Sequence, residues 1–127
     1  MMLTPNFNLD EFKSKDGSSF PAEIVQSLTI LATQLQALRT ELGRSITITS
    51  GYRSPAHNLK VGGAKDSFHV RGMAADIQVS GFTPKQVYDT IEKLIKEGKM
   101  KEGGLGLYKS WVHYDFRGKR IRWDKSK

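Results

Sequence analysis

The chain of 127 residues contains no cysteine. Disulfide bonds and metal sites built from thiolates are therefore excluded. No hydrophobic run approaches the roughly 20 apolar residues of a membrane-spanning helix. Residues 1–6 also lack the basic and apolar regions of a secretory signal peptide. These absences predict a protein that is cytoplasmic as synthesised and has no membrane partner.

Composition and charge are typical of one globular domain covering residues 1–127, with no linker, repeat or low-complexity segment. The net charge of +7 favours a polyanionic partner such as nucleic acid, an anionic membrane surface or a bacterial wall. No helix-turn-helix, RNP-like or zinc-finger pattern is present, so we expect no specific nucleic-acid partner. The denser basic residues at the C-terminus are interpreted as a solvated tail.

Two amphipathic helices are predicted from apolar residues that recur every three or four positions. The first begins at Pro21 and ends at Gly43, and the second begins at Thr83-Pro84 and ends at Gly98. Core packing is the expected role of both apolar stripes, which comprise Ile24, Leu28, Leu31, Leu35, Leu38 and Leu42 in the first helix and Val87, Ile91, Leu94 and Ile95 in the second.

Alternating and β-branched segments predict the strands of an α+β domain. Residues 6–12 are predicted to form a short arm or a single helical turn whose Phe7, Leu9 and Phe12 pack into the main body. Residues 57–67 are predicted to form a loop centred on two glycines. Five strands are predicted, namely 46–50, 74–79, 103–108, 111–117 and a short last strand that ends at Trp123.

Two histidines and one aspartate form a candidate metal site. Asp76 lies in an apolar strand, where an ionised carboxylate needs a cation or several hydrogen-bond donors. His69 precedes it by seven residues, and a turn at Gly72 can fold the imidazole back over the start of the strand. His113 lies on another predicted strand and can supply a third ligand. Two histidines and a carboxylate are the protein ligands of catalytic zinc sites that keep a fourth position open for water.

The motif Ser67-x-His69-x-x-Gly72-x-Ala74-x-Asp76 resembles the signature of the zinc D-alanyl-D-alanine carboxypeptidase family, which includes phage endolysins. Segments 6–17, 50–55 and 111–115 are also similar to that family. The resemblance implies a small antiparallel sheet with helices packed on one face and a zinc cleft on the other, a fold shared with the hedgehog signalling domain.

The resemblance also implies an activity. His69, Asp76 and His113 would bind Zn²⁺, and Arg53 would hold the substrate or stabilise charge on the scissile carbonyl. The substrate would be peptide bonds in peptidoglycan stems or cross-bridges, reached by a monomer that acts on the cell wall after release. The resemblance therefore implies a carboxypeptidase or endopeptidase of the kind found as phage or prophage endolysins.

The chain departs from better-known members at Ser110, where those members carry Asp or Glu three residues before the second zinc histidine. Asp115 is the best substitute as general base, because it should share a strand face with His113 about 7 Å further along. His57 is the second candidate. Asp115 can instead orient His113 or Arg53 as a hydrogen-bond partner. A non-catalytic metal-binding module on the same scaffold is therefore the alternative function.

Three aromatic residues flank these motifs: Tyr52, Tyr108 and Trp111. They can form a rim for a glycan or peptide, or they can be half-buried packing residues, and we favour packing.

Overall fold

A computed structural model describes residues 1–127, and it has an α+β fold. The helices are α1 (Ala22–Leu42), α2 (Pro55–Lys60) and α3 (Pro84–Lys96), and a 3₁₀ turn spans Leu9–Phe12. The strands are β1 (Met2–Thr4), β2 (Phe7–Asn8), β3 (Ile46–Ser50), β4 (Ala74–Val79), β5 (Gly104–Tyr108), β6 (Val112–Asp115) and β7 (Ile121–Lys125). None of the helices is long and apolar enough to cross a membrane.

Both long helices form where the sequence predicts them, because their ends carry strong local signals. Gly43 ends α1 in the left-handed conformation at φ 67° and donates its N–H to the carbonyl of Arg39. The hydroxyl of Thr83 accepts a hydrogen bond from the backbone N–H of Gln86, whose side chain accepts one from the backbone N–H of Thr83. The apolar stripes enter a core of 21 buried residues on one side of the main sheet.

The main sheet has five strands in the order β3-β4-β6-β5-β7, and it is mixed rather than wholly antiparallel. Its first four strands pair antiparallel, whereas β7 runs parallel to β5. The expectation of an antiparallel sheet is therefore wrong at this edge. Both edges of β6 are already occupied by β4 and β5, so the returning chain pairs with the free edge of β5. The second sheet is the small β1-β2 hairpin.

The N-terminal arm packs into the domain as predicted, with Phe7 and Phe12 buried. The carbonyl of Phe12 accepts a hydrogen bond from the N–H of Tyr52 at 2.9 Å. Gly51 lies so close to the Phe12 backbone that a side chain there would collide with it. The arm thereby fixes the segment that carries Arg53.

The predicted loop at residues 57–67 is wrong in its first part, because residues 57–60 belong to helix α2. Its helical signal is local: the hydroxyl of Ser54 accepts a hydrogen bond from the N–H of His57, and Pro55 occupies the first turn. Strand β6 also ends at Asp115, two residues before the predicted end. There the chain turns away to reach β7.

Candidate metal centre

Asp76 and His113 are direct cross-strand partners in the register of β4 and β6. The Asp76 Oδ1 atom lies 3.1 Å from His113 Nδ1 and 3.5 Å from His69 Nε2. His69 reaches this position through a turn at Gly72, whose φ is 68°. One ligand atom from each of the three residues lies within 4.8 Å of the other two. The structure thus brings together the three residues that the sequence predicts as metal ligands.

The other nitrogen of each histidine ring faces an acceptor. His69 Nδ1 lies 2.8 Å from the carbonyl oxygen of Gly51, which can only accept a hydrogen bond. His113 Nε2 lies 2.7 Å from Asp115 Oδ2. These partners assign the protons to the outer nitrogens, which are Nδ1 of His69 and Nε2 of His113. The inner nitrogens, Nε2 of His69 and Nδ1 of His113, therefore direct their lone pairs toward Asp76. Three acceptor atoms converge on one point, and each imidazole is held in orientation by the acceptor at its other nitrogen. A divalent metal site requires both features.

The charges around the three residues show the same requirement for a cation. Burial by itself would raise the pKa of Asp76, but hydrogen bonds with His113 and His69 hold that pKa well below its usual range. Burial would lower the pKa of His113, yet the carboxylates of Asp115 and Asp76 on either side of the ring raise it. A proton or a metal ion between these groups therefore balances the buried carboxylate of Asp115 and the half-buried carboxylate of Asp76.

Asp115 is fully buried and its carboxylate is saturated with hydrogen bonds. Its Oδ1 accepts from the N–H groups of Gly104 and Arg117 and from Arg117 Nε, and its Oδ2 accepts from His113 Nε2 and Arg117 Nη2. Burial would raise the pKa of Asp115, but Arg117 and His113 lower it well below its usual range. The carboxylate therefore stays ionised and holds the imidazole of His113 in one orientation.

Two glycines of β5 make room for this arrangement. Gly106 is the cross-strand partner of His113 on β6 and of Trp123 on β7. A side chain at Gly106 would collide with the Trp123 indole. That indole lies 5.1 Å from the His113 ring. A side chain at Gly104 would collide with the carboxylate of Asp115. Because Gly104 and Gly106 alternate with buried leucines, one face of β5 carries no side chains at these two positions. This face leaves room for Asp115 and Trp123.

The three candidate ligands open onto a cleft of about 370 Å³. Arg53 lies at its edge, with Nη2 3.8 Å from Asp76 Oδ2. Ser50 Oγ and Asn58 Oδ1 accept hydrogen bonds from the guanidinium at 3.3 and 3.4 Å. The cleft is lined by Arg53, Ala64, Asp66, Ser67, Phe68, His69, Asp76, Tyr108, Trp111, His113, Arg117 and Trp123.

The remaining predicted residues occupy different positions. His57 lies on α2 and does not line the cleft, and neither does Asp115. Ser110 is exposed between β5 and β6, where its carbonyl accepts a hydrogen bond from Gln78. Tyr52 is buried, as the packing interpretation predicts. Tyr108 and Trp111 are half-buried and stack at 4.6 Å, as the packing interpretation predicts, and both also line the cleft, so the rim interpretation stays a prediction for this pair.

Asp66, Arg117 and Trp123 line the cleft and are not among the site residues that the sequence predicts. Asp66 carries an exposed carboxylate three residues before His69, and this spacing was the available sequence signal. Arg117 and Trp123 belong to the chain beyond β6. Their signal was indirect, because the two glycines of β5 indicate that large groups cover that strand.

A family model described as Peptidase M15 matches residues 3–115. The matched region contains the three candidate ligands and Arg53, and it ends before β7. No curated protein matches the chain.

Proposed function

This chain belongs to the peptidase M15 family, and from that premise we propose that it is a zinc-dependent peptidase that cleaves peptide bonds in peptidoglycan. The observation that carries the proposal is the convergence of His69 Nε2, Asp76 Oδ1 and His113 Nδ1 in an open cleft. A zinc ion held by these atoms would lower the pKa of a bound water to roughly 7 and would polarise a carbonyl group.

Arg53 is positioned to stabilise charge that develops on the scissile carbonyl oxygen. Its guanidinium donates hydrogen bonds to Ser50 and Asn58. Asn58 is itself buried, and its side-chain amide donates a hydrogen bond to the carbonyl of Ala64 at 2.8 Å. A donor fixed before the reaction needs no reorganisation when the oxyanion forms. This rigidity supports the role that the family resemblance gives to Arg53.

His113 and Asp115 are proposed to act as one unit. Asp115 accepts the outer N–H of the imidazole and so keeps the inner nitrogen available to the metal. Because its oxygens already accept five hydrogen bonds, we propose that Asp115 orients His113. A proton acceptor must then come from another group.

Asp66 and His57 are the candidates for that acceptor, and Asp66 is a carboxylate that lines the cleft without a hydrogen-bond partner. Three single variants, Asp66→Asn, Asp115→Asn and His57→Gln, assign the role when kcat is measured at equal zinc occupancy. The true acceptor is the residue whose replacement lowers kcat and removes the acidic limb of the pH profile while zinc affinity is unchanged.

The substrate class is supported by the charge and by the cleft. A net charge of +7 favours the anionic bacterial wall, and the aromatic wall of the cleft suits a peptide or glycan. We propose carboxypeptidase or endopeptidase action on stem or cross-bridge peptides by a protein that reaches the wall as a phage or prophage endolysin would.

The test combines elemental analysis with digestion of purified peptidoglycan. We expect one zinc ion per chain, and new amino groups or released muropeptides detected by mass spectrometry. His69→Ala should lose both the metal and the activity. Zinc-loaded protein that cleaves no peptidoglycan from several wall chemotypes would refute the peptidase proposal.

A non-catalytic metal-binding module is the second candidate, and two observations favour it. The Asp115 carboxylate already accepts five hydrogen bonds. Ser110 lies outside the cleft and occupies the position where better-known members carry Asp or Glu. This module would bind zinc through the same three residues and leave every peptidoglycan uncut. Stoichiometric zinc without released muropeptides would establish it.

A further inference from the structure

Arg117 lines the cleft, and one nitrogen of its guanidinium takes part in no hydrogen bond within the protein. Its Nε and Nη2 donate to Asp115 at 2.8 and 2.7 Å, whereas Nη1 has no hydrogen bond within the protein. Every buried side-chain nitrogen or oxygen in the protein has a hydrogen-bond partner. Because Nη1 has none, it is not buried and is accessible to solvent. Because Arg117 lines the cleft, the N–H groups of Nη1 are available to a ligand there.

The guanidinium is also held rigidly. Its central carbon lies 4.2 Å from the centre of the Phe68 ring and 5.9 Å from that of Trp123. The bidentate pair with Asp115 fixes its plane, and the side chain is only 23% exposed. A fixed guanidinium loses little conformational entropy when it binds a carboxylate.

We propose that Arg117 is a specificity residue that recognises a carboxylate of the substrate peptide. The inference rests on the proposed function. Asp115 divides its negative charge between His113 and Arg117, so it only partly neutralises the guanidinium. Arginine and carboxylate form strong charge-assisted hydrogen bonds. A peptidoglycan stem offers two such groups, the C-terminal carboxylate and the α-carboxylate of the γ-linked D-glutamate.

The experiment uses the stem pentapeptide L-Ala-γ-D-Glu-L-Lys-D-Ala-D-Ala in four forms. The C-terminus is a carboxylate or an amide, and the glutamate α-carboxyl group is free or amidated. With zinc-loaded wild-type protein, we expect amidation at one position to lower kcat/KM about tenfold or more. The sensitive position identifies which carboxylate Arg117 binds.

Variants then connect that preference to Arg117. Arg117→Gln should cleave acid and amide peptides with equal kcat/KM. Arg117→Lys keeps a cation beside Asp115 but lacks the planar fork, so it should lose the preference while retaining zinc. Arg71→Gln is the matched control, because Arg71 lies over the same Phe68 ring but outside the cleft. It should keep the full preference.

A second measurement does not depend on variants or turnover. The Nε–H signal of Arg117 in ¹⁵N NMR of the zinc-loaded protein should shift with a peptide that carries the free carboxylate and not with the matching amide. Equal cleavage of all four peptides by the wild type, or a preference that survives in Arg117→Gln, would overturn the inference and leave the peptidase proposal intact. Failure to cleave any peptide or peptidoglycan would overturn the peptidase proposal, and the NMR shift would still decide carboxylate binding.

Discussion

His113 and Asp115 lie two residues apart on strand β6, and their side chains meet at 2.7 Å between Nε2 and Oδ2. In a regular strand these side chains share one face. The same carboxylate accepts three hydrogen bonds from Arg117 and one from the backbone of Gly104. The candidate metal centre is therefore supported from behind by a buried ionic network that connects β5, β6 and the turn toward β7.

Asp115→Asn should weaken zinc binding about 10- to 100-fold, as the loss of a histidine's carboxylate partner does at other sites. An amide offers one oxygen where the carboxylate accepts from both His113 and Arg117, so the imidazole loses its fixed orientation. Competition with a chromophoric chelator measures the affinity. Asp124→Asn, an exposed change on β7, is the control and should leave the affinity unchanged. Wild-type affinity in Asp115→Asn would contradict the orienting role.

Gly106→Ala should lower the free energy of unfolding by about 1–3 kcal/mol, because the added methyl group collides with the Trp123 indole. Urea denaturation measures this change. The double variant Gly106→Ala/Trp123→Ala removes the colliding ring, so the two effects should be clearly less than additive. Strict additivity would show that Gly106 is not required to accommodate Trp123.

Arg53→Lys should lower kcat about 100-fold or more while zinc affinity and KM change little. Lysine keeps the charge but cannot hold the hydrogen bonds that fix Arg53 to Ser50 and Asn58. Steady-state kinetics at equal zinc occupancy provide the test. His57→Gln is a useful comparison, since His57 lies outside the cleft and its replacement should leave kcat unchanged if another residue accepts the proton.

Arg122 connects Glu92 and Glu102 at 2.8 and 2.7 Å across the outer end of the sheet. Hydrogen bonds from Arg122 lower the pKa of Glu92, and they outweigh burial to lower the pKa of Glu102. A lowered folded-state pKa gives stability that is present above the unfolded pKa of about 4.3 and lost as pH falls through the folded value. Arg122→Gln should therefore destabilise the protein at neutral pH and much less at about pH 3.

Arg120→Gln serves as the control for this pH effect. Arg120 contacts the same two glutamates but is 58% exposed, so its ion pairs contribute little. Urea denaturation of both variants at the two pH values should show a larger, pH-dependent loss for Arg122→Gln. An equal loss at both pH values would exclude the glutamates as its cause.

Helices α1 and α3 and the arm residues Phe7 and Phe12 could be predicted because their signals are local. Apolar periodicity, a glycine at the end of α1 and a capping threonine act within a few residues of one another. Helix α2 has a comparable signal in Ser54-Pro55, but the following glycines led to the prediction of a loop. The single-domain and monomer assignments and the general base stay predictions.

The sequence by itself determined which residues can bind a metal, because residue type fixes the donor atoms and the spacing in Ser67–Asp76 fixes the turn that returns His69 to Asp76. Only the tertiary structure decided the strand order, the parallel edge strand and the saturation of Asp115 by Arg117. Those features depend on which strands become neighbours and on the space that Gly104 and Gly106 leave. Cross-strand neighbours are distant along the chain, so no local pattern could specify them.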